Sequence, residues 1–411
     1  MNHAATNRTT AITNVRVFDG ENISKADIVV LNGARIQALG GEAPAGATVV
    51  DGDGATLMPG LIDAHVHTDM GGLHDALLFG VTTELEMNGH WSGKQRKKVA
   101  ERDDVADLRS PGMGITPNGG HPSQYISSSG NLIMRFLYHY PFVSTRDEAE
   151  KFVAKQVAAG ADYIKIFIED GSCIGFPELP VLDSETLLAA VKAAHGFGRM
   201  AIAHVTTVEG ATRAIAAGVD GLAHVFFDRP HTPELIAAIA SSGAFVTPTL
   251  VTISSALGND ASALAGDERV KSRLDKKWLT SLCRCMNVYP QGKLPDVLGT
   301  VRALSAAGVD ILAGTDVSEP IPTLGGLAHG ASLHRELQLL VSAGLTPLEA
   351  LRAATSTPAR RFGLTDRGRI APGLRADLLL VDGDPTTTIS DTLSVRMVWR
   401  RGVQQEQVAP R

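Results

Sequence analysis

Four histidines, one lysine and one aspartate of this chain have the residue types and positions of a metal site. His65 and His67 lie two residues apart in the segment AHVH, and residues two apart in a strand point to the same side. Two imidazoles on one side of a strand can bind one divalent ion together. The other candidates follow near the ends of later apolar segments: Lys165, His204, His224 and Asp316. We therefore expect a metal centre built from these six residues.

Eight apolar segments carry or accompany these residues, and Ala- and Leu-rich amphipathic stretches separate them. The segments are LIDAHVH, VTTELEM, GMGITP, YIKIFI, MAIAHV, GLAHV, AFVTPT and DILAGTD. Strands that alternate with helices are typical of a parallel sheet, and eight such units predict an α/β fold of the TIM (β/α)8 barrel type. The active site of such a barrel lies at the carboxyl ends of its strands. A single histidine in an apolar strand is more often structural, but all six candidates lie near this one end.

The first and last parts of the chain differ in pattern from the middle. Both consist of short alternating strands that are separated by Gly and Asp turns. Because the termini of a domain commonly lie close together, we expect residues 1–58 and 368–411 to form one small β-sandwich domain. Residues 59–367 would then form the catalytic barrel.

Composition and charge favour a small-molecule enzyme. The 411 residues are 44% hydrophobic and 20% charged, with a net charge of −6, which gives no electrostatic attraction to nucleic acid or anionic membranes. No apolar run approaches the roughly 20 residues of a membrane span, and the first residues lack a signal-peptide pattern. We expect a cytoplasmic homo-oligomer with no nucleic-acid or membrane partner. Cys173, Cys283 and Cys285 predict neither a disulfide framework nor a cysteine zinc site.

Five segments of the chain resemble the signature segments of the amidohydrolase superfamily: PGLIDAHVH, GADYIKIF, AIAHV, GLAHV and AGTDV. Near the carboxyl end, HRELQLLVSAGLTPLEALRAATSTPARRFGL and GRIAPGLRADLLLVDGDP are similar to its imidazolonepropionase-like and Xaa-Pro dipeptidase-like branch. The resemblance extends from about Val15 to about Val403. The ordered set of five segments is far more specific than the HxH pair alone.

The resemblance implies two divalent metal ions, with zinc as the first expectation. In this pattern the more buried ion is held by His65, His67 and Asp316, and the more exposed ion by His204 and His224. Lys165, carboxylated by CO2, would bridge the two ions. A free ammonium group is a poor neighbour for two cations. The alternatives for Lys165 are a salt bridge with a carboxylate or a neutral, buried base. Cobalt, manganese and iron also suit such ligands.

The implied reaction is attack on a carbonyl by a hydroxide that both ions share. Asp316 would accept the proton of this hydroxide and pass it to the leaving amine. Loop residues would polarise the carbonyl, and His121 and Tyr125 are the catalytic candidates in an irregular insertion from about residue 117 to 145. Candidates for substrate binding are His231, His329, Arg135 and Tyr138, and we also note His139 and His334. For any one of these loop residues, a surface or structural role is the commoner outcome.

Hydrolysis of an amide bond in a small N-acyl amino acid or dipeptide-like molecule is the leading functional prediction. An esterase, lactonase or organophosphate hydrolase is the alternative within enzymes, because the same metal chemistry performs these reactions. A metal-free scaffold protein is the alternative outside enzymes, and the complete ligand set argues against it. The segment TPNGGHPSQYISSSG departs from dipeptidase-like relatives, which argues against a plain Xaa-Pro peptidase.

Overall fold

The computed structural model describes residues 9–128 and 140–406. Its strands are β1 (Thr9–Thr13), β2 (Arg16–Phe18), β3 (Ile23–Ser24), β4 (Val29–Asn32), β5 (Arg35–Leu39), β6 (Thr48–Asp51), β7 (Thr56–Pro59), β8 (Leu61–Val66), β9 (Val81–Glu86), β10 (Asp107–Arg109), β11 (Ile164–Ile168), β12 (Ala201–Val205), β13 (Gly221–Ala223), β14 (Phe245–Thr247), β15 (Leu378–Val381), β16 (Val395–Arg400) and β17 (Val403–Gln404).

The helices between these strands are Met70–Leu78, Gly93–Ala100, Ser123–Ser128, Arg146–Ala158, Ser184–Gly196, Val208–Ala217, Pro233–Ser242, Leu250–Ala256, Ser262–Gly266, Glu268–Lys271, Lys276–Leu282, Leu294–Ala306, Ala331–Ser342, Pro347–Ala353 and Ser356–Arg361, with 3-10 turns at Pro322–Leu324 and Ile389–Leu393. Among the residues described, none of these helices has the length and apolarity that a membrane crossing needs.

The middle of the chain forms two parallel sheets, in the orders β10–β9–β8 and β11–β12–β13–β14. Single parallel bridges connect them to neighbouring segments, at Ile115 with Ile166, at Val246 with Ile311 and at Val66 with Val317. Strands β8, β9, β11 and β12 are buried along their whole length, as expected for a parallel sheet with both faces covered. The predicted mixed α/β fold with parallel strands is confirmed.

Two of the eight predicted strands differ from the structure. The third was expected at GMGITP, but the ladder forms earlier, at β10, and only Ile115 of the predicted segment makes a bridge. Pro111, which has no amide hydrogen, separates the two parts. The eighth, DILAGTD, makes only a single bridge at Ile311. Its last residue, Asp316, has a φ of +58°, which is incompatible with an extended strand.

A capping threonine and a terminal glycine set the two ends of the helix between β12 and β13. Thr207 accepts a hydrogen bond from Gly210 N through its side chain and begins the helix Val208–Ala217. Such a cap contributes about 1 kcal/mol. The helix ends at Gly218, whose φ of +83° is accessible to glycine at little cost. The chain then enters β13, so Gly218, which follows Ala216 and Ala217, marks the end of the helix.

The two ends of the chain share one six-stranded sheet, in the order β17–β16–β15–β7–β2–β3. Strand β7 from the amino-terminal part pairs antiparallel with β15, and Leu57 lies opposite Leu380. A second sheet has the order β5–β4–β1–β6, and Ile12, Leu378 and Trp399 are buried in a shared apolar cluster. The predicted division into 1–58 with 368–411 and 59–367 stays a prediction.

Candidate metal centre

Three of the six predicted ligands form a compact group: His65 in β8 and His224 after β13, which are buried, and Asp316, which is partly exposed. Each offers a ligand atom that lies within 4.8 Å of those of the other two. Asp316 Oδ1 is 3.1 Å from His65 Nε2, and its Oδ2 is 4.0 Å from His224 Nε2. Burial lowers the pKa of His65 to about 3, helped by the charge of Lys165. Its ring is therefore neutral near pH 7, which is the form that binds a metal.

The second histidine of the HxH pair joins this group through the same carboxylate. His67 Nε2 lies 3.1 Å from Asp316 Oδ1, and its Nδ1 lies 3.4 Å from the carbonyl oxygen of Asn88. Burial lowers the pKa of His67, but hydrogen bonds with Asp316 and Glu86 outweigh this and raise the pKa to about 9. Acidic surroundings that favour a proton on this ring also favour a divalent cation beside it.

A hydroxyl group determines which nitrogen of His224 can bind a metal. Nδ1 of His224 lies 2.6 Å from Thr249 Oγ1, and that hydroxyl donates to the Pro248 carbonyl at 2.8 Å. Because the hydroxyl has only one hydrogen to donate, it accepts from Nδ1–H of His224. The unprotonated nitrogen is then Nε2, which is the atom that points to Asp316. Such a partner both orients a ligand ring and increases its basicity.

The backbone at two of these residues is in the left-handed region. His224 has a φ of +74° and Asp316 a φ of +58°, values that are uncommon for residues other than glycine. Residues of this kind persist where the surrounding structure holds them, and they concentrate at functional sites. The amide of Asp316 donates to the His65 carbonyl at 2.7 Å. At Gly314, a Cβ atom would lie 2.8 Å from the amide nitrogen of His65, so only glycine allows this close approach.

Lys165 is buried beside the group and has an unsatisfied amine. Its Nζ has no hydrogen-bond partner among the described residues. Burial lowers the pKa of Lys165 to about 7, against the opposing charges of Asp316 and Glu86. A buried polar atom without a partner costs about 1–3 kcal/mol. Imidazole nitrogens, a carboxylate and an unpartnered buried amine together form a donor set that fits divalent ions.

His204, the remaining predicted ligand, has a buried partner that the sequence analysis missed. Its Nε2 lies 2.9 Å from Oε2 of Glu169, which also accepts from Thr206 Oγ1 at 2.6 Å. The other oxygen of Glu169 accepts from the Gly171 amide at 2.7 Å. Nδ1 of His204 is thus the nitrogen left for a metal. The sequence offers one clue to Glu169: it follows Lys165 by four residues, so in an extended segment the two side chains lie on the same side.

Of the two predicted catalytic residues of the insertion, His121 lies against His204 and Tyr125 lies against His121. The ring of His121 is 4.7 Å from that of His204, and Tyr125 is 5.7 Å from His121 in an edge-on contact. Nε2 of Gln124 lies 2.8 Å from His121 Nδ1, so the amide donates there and Nε2 of His121 carries the hydrogen. Burial and the charge of His204 lower the pKa of His121 to about 3. A neutral imidazole and a phenol thus border the group.

The other candidate residues make their polar contacts elsewhere. His231 Nδ1 lies 3.0 Å from Thr300 Oγ1. His329 is buried and lies 3.2 Å from the Ser318 carbonyl through Nε2, and His334 donates to the Phe79 carbonyl at 2.9 Å. Arg135, Tyr138 and His139 lie outside the described residues. The predicted roles of His231, His329, Arg135 and Tyr138 in substrate binding stay predictions.

Comparison with known proteins identifies the family. The amidohydrolase family profile matches residues 56–404. An imidazolonepropionase of Cereibacter sphaeroides is 27% identical over 402 residues, covering 90% of this chain and 92% of that protein. A solved Xaa-Pro dipeptidase with bound methionine has a TM-score of 0.74 at 24% identity, covering 97% of this chain and 100% of that chain. A solved prolidase with bound N-methylphosphonate-L-proline has a TM-score of 0.75 at 22% identity, covering 97% and 99%. The predicted resemblance is confirmed, and the chain belongs to the amidohydrolase family of hydrolases that act on C–N bonds.

Proposed function

We propose that this protein is a two-metal amide hydrolase that acts on a small N-acyl amino acid or dipeptide-like substrate. The observation that carries the proposal is the convergence of His65, His67 and His224 on the carboxylate of Asp316. The unpartnered buried amine of Lys165 adds to it. A single-metal site has no need of a lysine at this position, whereas a carboxylated Lys165 would bridge two ions.

His65, His67 and Asp316 would hold one ion, and His204 and His224 the other. The lowered pKa of Lys165 supports its carboxylation, because only the neutral amine reacts with CO2. Imidazole and carboxylate ligands suit zinc. The eight central segments would close into a (β/α)8 barrel, and the two chain ends would form the β-sandwich. A cytoplasmic, homo-oligomeric enzyme belongs to the same proposal.

When bound, divalent ions acidify a water molecule and polarise a carbonyl group. The chain's own residues then manage the protons. Asp316 would take the proton of the attacking water through Oδ2, the oxygen that His65 and His67 do not contact, and would deliver it to the leaving nitrogen. His121, protonated at Nε2, would donate a hydrogen bond to the substrate carbonyl oxygen, and the hydroxyl of Tyr125 would do the same. Such donors stabilise the negative charge that develops in the transition state.

The substrate class is argued from the leaving group. A metal centre with a proton-delivering carboxylate is needed for amides, whose amine leaves poorly unless it is protonated, and is less important for esters. The solved prolidase is complexed with N-methylphosphonate-L-proline, and this likeness supports a dipeptide-like substrate for this chain.

The test is a panel of substrates with the zinc-loaded protein, combined with elemental analysis. N-acyl amino acids and dipeptides should be hydrolysed with a higher kcat/KM than matched esters, lactones and organophosphates, and about two metal ions per chain should be found. A preference for lactones or phosphotriesters would refute the amide assignment. One ion per fully active chain would refute the bridging lysine.

A further inference from the structure

A cleft of about 420 Å3 lies at the end of the central strands that faces away from the metal centre. Asp162 and Met200, which come just before β11 and β12, line it together with the segment that follows the helix Ser356–Arg361. His204 lies four residues beyond Met200, which in an extended strand corresponds to roughly 13 Å. The cleft is therefore separate from the metal centre, and nothing in the proposed reaction uses it.

Two aspartates of the cleft are already paired. Asp162 is 2.7 Å from Arg96 and accepts from the Ser110 amide, and Asp366 is 2.8 Å from Arg367. These carboxylates have limited capacity left to neutralise other charges that line the cleft.

Two arginines of the cleft, in contrast, have spare donors. Arg199 has no ion pair among the described residues, and its Nε is buried without a hydrogen-bond partner. The carboxylates nearest to Arg109 belong to Asp107 and Asp162, at 3.5 Å and 4.0 Å. Neither distance is that of a hydrogen bond. Both guanidinium groups can therefore accept an additional anionic partner.

The cleft and the ion pairs behind it contain more positive than negative side chains, although the net charge of the whole chain is −6. The charged residues of the cleft and of the ion pairs behind it are Arg96, Arg109, Arg199, Arg367, Arg375, Arg400, Asp107, Asp162, Asp366 and Asp377. Six cations and four anions leave a surplus of two positive charges. A surplus of this size is balanced by one dianionic group, and a guanidinium matches the oxygens of a phosphate or carboxylate in a bidentate manner.

We propose that this cleft is a second ligand site, which binds a small dianion through Arg199 and Arg109. A volume of about 420 Å3 lies within the range of pockets that bind small molecules. The recognised chemistry is an oxyanion with two negative charges, either a phosphate group or a pair of carboxylates on one short chain.

The test uses isothermal titration of the metal-loaded protein with inorganic phosphate and, separately, with succinate. The affinity should fall with rising salt, and the better of the two ligands identifies the preferred anion. Arg199→Gln should weaken binding by about 10- to 100-fold, the range for lost charge-assisted hydrogen bonds, and Arg109→Gln should weaken it in the same direction. The matched control is Arg146→Gln, which removes an exposed arginine of the helix Arg146–Ala158 and should leave binding unchanged.

Phosphate can also bind to metal ions, so a second variant separates the two sites. His204→Ala alters the metal centre and should leave the binding at the cleft intact. Equal binding by wild type and Arg199→Gln would overturn the proposal, as would loss of binding in His204→Ala. Circular dichroism and thermal unfolding of each variant check that the fold is retained.

Discussion

The contact between Glu169 and His204 permits a sharp test of the metal centre. In the Glu169→Gln variant the side chain keeps its size, but one of its two acceptor oxygens becomes an NH2 donor. All the partners of Glu169 are donors, namely His204, Thr206 and the Gly171 amide. The glutamine must therefore face at least one donor with its own NH2 group, whichever way the amide is turned.

The two orientations of the amide have different consequences. If the NH2 group faces the Gly171 amide, two donors oppose each other, and an unsatisfied buried group costs about 1–3 kcal/mol. If it faces His204, that ring must accept at Nε2, and its proton moves to Nδ1. Nδ1 is the nitrogen proposed to bind the metal, so the ligand is lost. Loss of such an outer partner typically costs 10–100-fold in metal affinity, or about 1.4–2.7 kcal/mol of binding free energy.

The assay is a competition titration of zinc between the protein and a chromophoric chelator, with elemental analysis of the purified variant. We expect one of the two ions to bind 10–100-fold more weakly and the absorption of a cobalt-substituted sample to change. Glu185→Gln, at an exposed position at the start of the helix Ser184–Gly196, is the matched control and should behave like wild type. If folded Glu169→Gln held both ions with unchanged affinity, the role assigned to Glu169 would be wrong.

Three further predictions concern the lysine, the aspartate and an ion-pair network. Lys165→Ala should lose metal and activity together, and added short carboxylic acids should partly restore both, as measured by elemental analysis and turnover; unchanged metal content would leave the lysine structural. Asp316→Asn should keep most of its metal while kcat on an alkyl amide falls by about 10² to 10⁴-fold, and less on nitroanilides; near-normal turnover on the alkyl amide would exclude it from the proton transfers. Burial would raise the pKa of Asp107, but the guanidinium groups of Arg367 and Arg400 outweigh this and hold it well below its usual range. Its stabilisation is thus present at neutral pH and is lost as the pH falls below about 4. Asp107→Asn should lower the free energy of unfolding by about 3–5 kcal/mol at pH 7, with a smaller difference from wild type in denaturant titrations at pH 3; a constant difference would contradict the linkage.

Much of the candidate metal centre was predictable because its signals are local. The spacing of His65 and His67 follows from the two-residue period of a strand. His204 lies near the end of β12, and His224 comes directly after β13. Glu169 was missed because its role depends on register: β11 pairs with β12 so that Phe167 lies opposite His204. This register places Glu169, which follows Phe167 by two residues, beside His204 and Thr206. The pairing register of two strands cannot be read from a single sequence.

The conformation of the ligand backbone was also beyond prediction. Asp316 and His224 have positive φ values, and nothing in their side chains requires this. The close approach at Gly314 and the hydrogen bond of His224 to Thr249 depend on neighbours distant in the chain. For the same reason β10 formed earlier than the apolar run GMGITP suggested, because Asp107 finds its arginine partners in the carboxyl-terminal part.

The pairing of β7 with β15 has a consequence for how the protein matures in the cell. Strand β7 leads through Gly60 directly into β8, which carries His65, and the Gly60 amide donates to the carbonyl of Asp377 just before β15. A chain is synthesised from its amino end, and domains fold as units. Strand β7 has its neighbour β2 early in synthesis, but its other neighbour, β15, is made only when almost the entire polypeptide has left the ribosome. A nonsense mutation before Leu378 would therefore remove one of the two neighbours of β7, the strand that leads into β8, while all six proposed ligand residues would still be made.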